Sequence, residues 1–180
     1  MIENESVAPV KIPDSFRHYL KQHMTEDHEK LEAILEDAAC LAEHRFFYGA
    51  AKKFEDFQIR EEQHMRVEED IVFSLLETAF PGSPAIAEVK AEHEVIRQAM
   101  KAAESAILKA NLEQFEKVHP DLSAALMAHT RHEDELLDRA LATSVAPNRE
   151  VLVKIARLSR SSTKAIHLAN RIPTFAGHRF

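Results

Sequence analysis

Apolar residues recur at alternating steps of three and four positions along most of this chain. That spacing is typical of amphipathic α-helices that bury one face. Sparse proline and glycine residues divide the pattern, which predicts helices over roughly residues 15–45, 50–79, 84–109 and 111–144, and a fifth over roughly 149–170. Because the connections between the first four are short, we predict an all-α fold: an antiparallel up-down four-helix bundle plus a C-terminal amphipathic helix.

The chain has 180 residues with only 3 Gly and 7 Pro, too few turn formers for a many-stranded β fold. We divide it into an N-terminal extension (residues 1–14), the bundle (residues 15–145) and a basic C-terminal helix and tail (residues 146–180). Asn111 is a candidate N-cap for the fourth helix. Pro120 lies early in that helix and is predicted to kink it or to mark a restart.

Each bundle helix carries a histidine near the middle of its apolar stripe, and the second and fourth add a glutamate one turn later. These six residues are His28, His64, Glu68, His93, His129 and Glu133. The remaining stripe positions are predicted to form the core: Met24, Leu31, Leu35, Ala38 and Ala42; Phe57, Glu61, Ile71 and Leu75; Ile86, Val89, Ile96, Met100, Ala103 and Ile107; and Leu122, Leu126, Leu136 and Ala140.

The two halves of the bundle form a repeat in which each of these residues has a counterpart. His28 matches His93, His64 matches His129, and Glu68 matches Glu133, each pair at the same offset of about 65 positions, as expected for a duplicated helix pair. Each half therefore brings one lone histidine and one His-x3-Glu pair to the interior.

Buried ionised carboxylates are very unfavourable unless they are paired or bind a metal. Two of them among four imidazoles are best explained by a pair of cations, and this donor set without thiolate suits iron, manganese or zinc. Glu133 is preferred to its neighbour Asp134 as a ligand, because a position five residues after His129 turns away from the shared helix face. Two octahedral irons bridged by both glutamates and by an oxo or hydroxo group would keep roughly two coordination positions open.

Four segments of the chain carry the resemblance to a known family: EDHEKL, HMRVEEDIVF, AEHEVI and LMAHTRHEDELL. Over about residues 15–143 they resemble the helix signatures of hemerythrin-like proteins, also called the HHE cation-binding domain family. The resemblance implies an up-down four-helix bundle around two non-haem iron ions joined by an oxo or hydroxo bridge. The implied ligands are His28, His64, Glu68, His93, His129 and Glu133, and zinc or manganese are alternative metals.

Two positions differ from the oxygen-carrying hemerythrins, to which the rest of the pattern is similar. Those carriers have a second histidine on the third helix, where this chain has Arg97, and a His-x4-Asp pair on the fourth, for which Asp134 is available. The resemblance therefore implies binding or sensing of a small ligand (O2, NO or peroxide) or of iron, rather than stable oxygen carriage. We expect Arg97 to extend to solvent, and the alternative is that it holds a carboxylate or an anion near the site.

Two other functions remain open from the sequence. One is a di-iron redox enzyme, such as an oxidase, a ferroxidase or a peroxide-decomposing enzyme. The ferritin-type oxidases use inward-facing Glu-x-x-His pairs, and we expect none in this chain. The other is a helical interaction module that holds zinc or no metal.

Charge is unevenly distributed along the chain. The net charge is −7, yet residues 149–180 carry seven Lys or Arg and one acid, so the bundle is strongly acidic and unsuited to nucleic acid. No apolar run is long enough to span a membrane. The single cysteine, Cys40, and the absence of a signal-like N-terminal stretch predict a cytoplasmic protein.

The basic C-terminal helix allows several interpretations. Its apolar face holds Val151, Ile155, Leu158 and Ile166, and its other side holds Lys154, Arg157, Arg160 and Lys164. We expect this helix to pack on the acidic bundle of its own chain or on that of a second subunit. In the second case the protein would be a homodimer. A membrane-surface helix, a nucleic-acid contact and a partner-binding helix are the alternatives.

Overall fold

The computed structural model describes residues 14–142, and within that range the chain is helical apart from short connections. The helices are α1 (Asp14–Glu43), α2 (Phe47–Val67), α3 (Phe73–Ala79), α4 (Pro84–Leu108) and α5 (Leu112–Ala142). A π-helical turn over Glu68–Val72 joins α2 to α3, so these two behave as one long helix. The described part is therefore all-α, with four long helices as expected for a four-helix bundle.

The predicted core stripes are confirmed almost completely. Every stripe position is buried except His28 and Leu126, which are partly exposed. The buried apolar side chains fall into two clusters. One is built around Leu31, Phe57, Ile96 and Leu122, and the other around Met24, Val72, Val89 and Leu136. Along each long helix the polar stripe residues fall between members of the first cluster and members of the second, so a polar layer separates two apolar halves of the interior.

The turns after α1 and α4 show the repeat at atomic level. Arg45 and Ala110 both adopt left-handed backbone, with φ of 60° and 52°. In each turn the amide of this residue and the next amide donate to carbonyls in the last helical turn: Arg45 to Ala42 and Phe46 to Leu41, and correspondingly Ala110 to Ile107 and Asn111 to Ala106. This is the Schellman hydrogen-bond pattern, and both copies form it without glycine.

The start and the course of α5 follow the sequence in part. Asn111 caps the helix as predicted, because its Oδ1 accepts a hydrogen bond from the Gln114 amide at 3.0 Å. The expected restart at Pro120 is wrong, since α5 runs unbroken from Leu112 to Ala142 with Pro120 inside it. Phe115 and Leu122 are buried on either side of the proline, and this packing offsets the backbone hydrogen bond that proline cannot make.

The π-helical turn was not predicted. The Phe73 amide donates to the Glu68 carbonyl five residues back, which is the wider π spacing. Apolar residues continue through the turn, so the sequence gives no signal for it. Glu68 begins the turn, and the corresponding residue of the second half, Glu133, lies in uninterrupted α-helix.

Two predictions fall outside the described residues: the N-terminal extension, apart from its last residue, and the C-terminal amphipathic helix. Within residues 14–142, no helix is both long and apolar enough to cross a membrane.

Candidate metal centre

The six predicted ligands lie together in the polar layer between the two apolar clusters. One histidine comes from each long helix, Glu68 from the π-helical turn, and Glu133 from α5. The side chains of Glu68, His93 and Glu133 are fully buried, and that of His28 is 15% exposed. The helical spacing of these six residues in the sequence explains why their side chains meet, because each lies on a stripe that faces the interior of the bundle.

Glu68 lies at the centre of the group, with its two oxygens facing different pairs of histidines. Its Oε1 is 2.8 Å from His64 Nε2 and 3.8 Å from His28 Nε2. Its Oε2 is 2.9 Å from His93 Nε2 and 3.4 Å from His129 Nε2. One carboxylate thus joins two sets of donors, which is the arrangement of a bridging ligand.

Glu133 belongs to only one of these sets. His28, His64, Glu68 and Glu133 offer ligand atoms within 4.8 Å of one another, and Glu68, His93 and His129 form a second such group. The His28 Nε2 to Glu133 Oε2 distance is 3.7 Å. Asp134 does not enter either group, in agreement with its direction on the helix. We call the two groups the first and the second donor set.

Hydrogen bonding tests whether these residues fit a metal. Eight buried nitrogen and oxygen atoms of the six side chains approach one another, at distances down to 2.8 Å, but none forms a hydrogen bond of acceptable geometry with a described residue: the four histidine Nε2 atoms and all four oxygens of Glu68 and Glu133. Leaving a buried polar atom unsatisfied costs about 1–3 kcal/mol. Eight such atoms that converge on one spot fit a site built for cations, since metal bonds would satisfy them together.

The Nδ1 atoms of three histidines point the other way, towards carboxylates. Glu69 Oε1 is 2.8 Å from His93 Nδ1, and Glu92 Oε2 is 3.1 Å from His129 Nδ1. Asp27 Oδ2 is 3.9 Å from His64 Nδ1, an ion-pair distance. Such partners fix the ring orientation and the tautomer of metal-binding histidines, leaving Nε2 free for the metal.

Arg97 anchors the junction between α2 and α4, which we call the closed seam. Its guanidinium donates to Glu62 at 3.0 Å and to Glu69 at 3.1 Å. Glu69 in turn contacts His93, so the chain of contacts runs from the surface to the donor atoms. The expectation that Arg97 extends to solvent is therefore wrong, because its guanidinium holds two carboxylates between the helices.

The junction between α1 and α5 is different, and we call it the open seam. A cavity of about 640 Å³ lies there and reaches His28, His64 and His129. Apolar side chains make up much of its wall, namely Leu31, Leu35, Phe57, Leu126 and Met127, and acidic residues such as Glu32 and Asp134 surround it. The cavity connects the donor atoms to the protein surface.

Glu61 is the residue near the centre that sequence reasoning missed. It is buried (3% exposed) and lines the cavity together with His64. The expectation of no inward Glu-x-x-His pair is therefore wrong, because Glu61 and His64 stand three residues apart and both face the interior. The sequence did contain a signal for Glu61, because its position on the predicted core stripe indicated that its carboxylate faces the interior. The second half has Leu126 at the corresponding position.

Burial and mutual contact shift the pKa values within the centre in opposite directions. Burial lowers the pKa of His64, but the Glu68 and Asp27 carboxylates outweigh it and hold that pKa well above its usual value. Burial raises the pKa of Glu68, but the histidines outweigh it and hold the pKa well below the usual value.

Burial, together with the nearby Glu68 charge, raises the pKa of Glu133 well above its usual value. Burial also raises the pKa of Glu61. Without a metal, Glu68 thus holds the negative charge of the pair, and Glu133 keeps its proton to higher pH. The two buried glutamates are chemically unequal despite their matching positions in the repeat.

The other histidines within residues 14–142 do not join the donor sets. His132 Nδ1 is 2.9 Å from Glu92 Oε1, so it shares that carboxylate with His129. His23 is 3.7 Å from Asp27. His44 is exposed and its ring contacts the Cys40 carbonyl. His23 and His132 thus act, at most, through the carboxylates that orient the inner histidines.

Comparison with known proteins decides the family. The sequence profile of the hemerythrin HHE cation binding domain matches residues 19–141, well over half of the chain. The chain belongs to this family. Comparisons with curated proteins and with solved structures gave no significant match. The family and the cluster of histidines and glutamates agree that this HHE domain is built to bind cations.

Proposed function

We propose that this HHE domain is a non-haem di-iron protein that binds or senses a small ligand, namely O2, NO, peroxide or iron itself. The observation that carries the proposal is the convergence of eight unsatisfied donor atoms around Glu68, whose oxygens face two histidine pairs. In the proposed arrangement, the helices run antiparallel in an up-down bundle over residues 15–145. Two ion pairs between neighbouring helices support this antiparallel arrangement. Asp37 of α1 pairs with Lys53 of α2, and Lys21 of α1 pairs with Asp138 of α5.

The donor residues divide into two proposed metal positions. His28, His64 and Glu133 would hold one iron, and His93 and His129 would hold the other, with Glu68 available to both because its oxygens face both donor sets. Imidazole and carboxylate donors also suit zinc or manganese. A bound iron pair supplies redox chemistry and open coordination positions for a small ligand.

The chain's own residues provide access and orientation. The cavity of the open seam leads from the surface to His28 and His64, so a small molecule can reach the centre from that side. The carboxylates of Glu69 and Glu92 orient His93 and His129 from behind. We also propose a cytoplasmic location, on the basis of the single cysteine and the acidic bundle.

Glu61 favours a second candidate function, a di-iron redox enzyme acting on O2 or peroxide. A buried carboxyl with a raised pKa beside the cavity can hold a proton within reach of a bound ligand. General acids of this kind are needed when bonds between oxygen atoms are broken, and not for reversible binding. Evolution of O2 from peroxide by the iron-loaded protein, lost in Glu61→Gln, would favour the enzyme.

The deciding experiment is the metal content of freshly purified protein, with an optical spectrum of the same sample. We expect about two irons per chain and the near-ultraviolet absorption of an oxo-bridged pair. His44→Ala is the matched control, because His44 is exposed and outside both donor sets; its metal content should be unchanged. Zinc, a single metal, or no metal after anaerobic reconstitution with ferrous iron would contradict the di-iron proposal.

A further inference from the structure

The open seam is a groove with an apolar floor. Leu31, Leu35 and Phe57 are buried at its base, whereas Met127 is 70% exposed on its wall. A large methionine with that exposure, beside other apolar lining groups, is typical of a surface that another element covers.

The rim of the groove is acidic. Glu32, Glu36 and Glu135 are exposed lining residues, and within residues 14–142 none of them makes an ion pair. Asp134 adds a partly buried carboxylate, and Arg131 is the single lysine or arginine that lines the groove in the described part of the chain. The occupant that this surface fits is therefore apolar on one side and basic on the other.

The chain itself contains such a segment, residues 149–170. Apolar residues fall on one face of its helical pattern, and Lys154, Arg157, Arg160 and Lys164 fall on the other side. As a helix its 22 residues would be about 33 Å long. The groove follows α5 from His119 to Asp138, which is about 29 Å of helix, so the two lengths match.

The connection also favours this groove. Helix α5 ends at Ala142, and only residues 143–148 precede the segment. A connection of this length brings two successive helices side by side and antiparallel. A segment that returns along α5 passes Asp138 first and then Glu135, and it approaches Met127 further on.

We propose that residues 149–170 fold back as a helix into the groove between α1 and α5 of their own chain. Their apolar face covers Leu35, Leu126 and Met127, and their basic residues meet Glu32, Glu36 and Glu135. The proposed docking involves only the groove and the segment, and it requires no metal.

The chain contains no tryptophan, so a single introduced tryptophan reports on its own surroundings. In full-length Leu158→Trp we expect blue-shifted, weakly quenched emission, because the residue lies on the apolar face. Adding Glu32→Lys and Glu36→Lys should lower the docked-to-free ratio about tenfold, the sum expected for several exposed ion pairs. Adding Arg160→Glu and Lys164→Glu to that variant should restore the blue-shifted emission, because these residues reach the level of Glu32 and Glu36 when the segment returns along α5.

The matched control carries Glu88→Lys and Glu116→Lys, two exposed acids on α4 and α5 that do not line the groove. It makes the same change in net charge and should leave the emission unchanged. Ile155→Trp repeats the series at a second apolar position, and far-ultraviolet circular dichroism verifies that each variant is folded.

Three results would overturn the proposal. Solvent-like emission in both tryptophan variants would mean that the segment does not dock. An equal response to the two pairs of lysine substitutions would mean that net charge, and not the groove, is responsible. Blue-shifted emission that appears only in a species with the mass of a dimer would assign the groove to a second copy of the chain.

Discussion

The closed seam and the open seam are formed by corresponding helices of the repeat, but one is sealed by an ion pair and the other contains a cavity. Arg97 and Glu62 hold the closed seam together. Their counterparts in the repeat are Glu32 and Met127, which cannot form an ion pair and which line the cavity instead. Two positions per half thus decide which side of the centre is sealed and which side is accessible.

The same difference extends to the histidines behind the seams. In the closed seam, Glu69 lies 2.8 Å from His93 Nδ1, and the His93 side chain is fully buried. In the open seam the counterparts are Asp134 and His28, whose side chain is 15% exposed. A duplicated helix pair therefore supplies symmetric ligands, and the residues next to them make one face of the centre rigid and the other accessible.

The largest effect is expected from removing the glutamate that joins the two donor sets. Glu68→Leu should lose both metals, because the oxygens of Glu68 face both histidine pairs. Glu133→Leu should lose only the metal of the first donor set. If each site is loaded at 1,000 times its Kd, each lost metal lowers the unfolding free energy by about 4 kcal/mol. Elemental analysis and thermal unfolding measure both effects.

Both variants should stay helical, since leucine fits the apolar surroundings on either side of the polar layer. Full loading with two irons in Glu68→Leu and in Glu133→Leu would show that neither glutamate is a ligand. Equal loss in the two variants would show that the two donor sets are not distinct.

The next largest effect concerns pH and distinguishes the two donor sets. Groups whose pKa is raised in the folded metal-free protein, Glu133 and His64 in the first set and His129 in the second, must lose their protons to bind a metal. Affinity should therefore rise with pH while those groups still hold protons. The slope should be about 100-fold per pH unit for the first set and about tenfold for the second.

Metal titration of the apoprotein at several pH values, with His28→Ala and His93→Ala to isolate each set, measures the two slopes. The sign follows from the direction of the shifts: a raised pKa means that the metal-free fold is stabilised by the proton and loses that contribution as the pH rises through the folded pKa. Equal slopes for the two donor sets would contradict the raised pKa of Glu133, and with it the chemical difference between Glu133 and Glu68.

A smaller effect should separate the seams directly. Glu69→Gln removes the carboxylate behind His93 and should weaken metal binding by about 10–100-fold, the usual cost of losing a partner that orients a ligand. Asp134→Asn is its counterpart in the repeat and the matched control. Because Asp134 makes no hydrogen bond to His28 among the described residues, its amide variant should bind metal almost normally. Calorimetry of both proteins measures the comparison, and an equal loss would mean that the seams hold their histidines alike.

The sequence was sufficient for the helices, the core stripes and the meeting of six polar residues, because all of these follow from one helical period. It was not sufficient for the π-helical turn at Glu68, where the apolar pattern continues unchanged. The sequence also did not reveal that Glu68 and Glu133 differ in pKa. That difference depends on distances of a few Å between side chains on different helices. Glu61 was on the predicted stripe, but its carboxylate had no partner in the repeat to draw attention to it.

The smallest effect is expected at the two turns, where the halves of the repeat remain alike. Arg45 and Ala110 occupy left-handed backbone that is unfavourable for any residue with a Cβ. Arg45→Gly and Ala110→Gly should each raise the unfolding free energy by about 0.5–1 kcal/mol, after allowance for the greater freedom of glycine in the unfolded chain.

Chemical denaturation measures the gain, and Arg45→Ala is the control, because it removes an exposed side chain without relieving the backbone. If alanine stabilises the protein as much as glycine does, the arginine side chain and not its φ angle is the source. If the two glycine variants differ by more than the error of the measurement, the equivalence of the halves ends at the turns as well as at the seams.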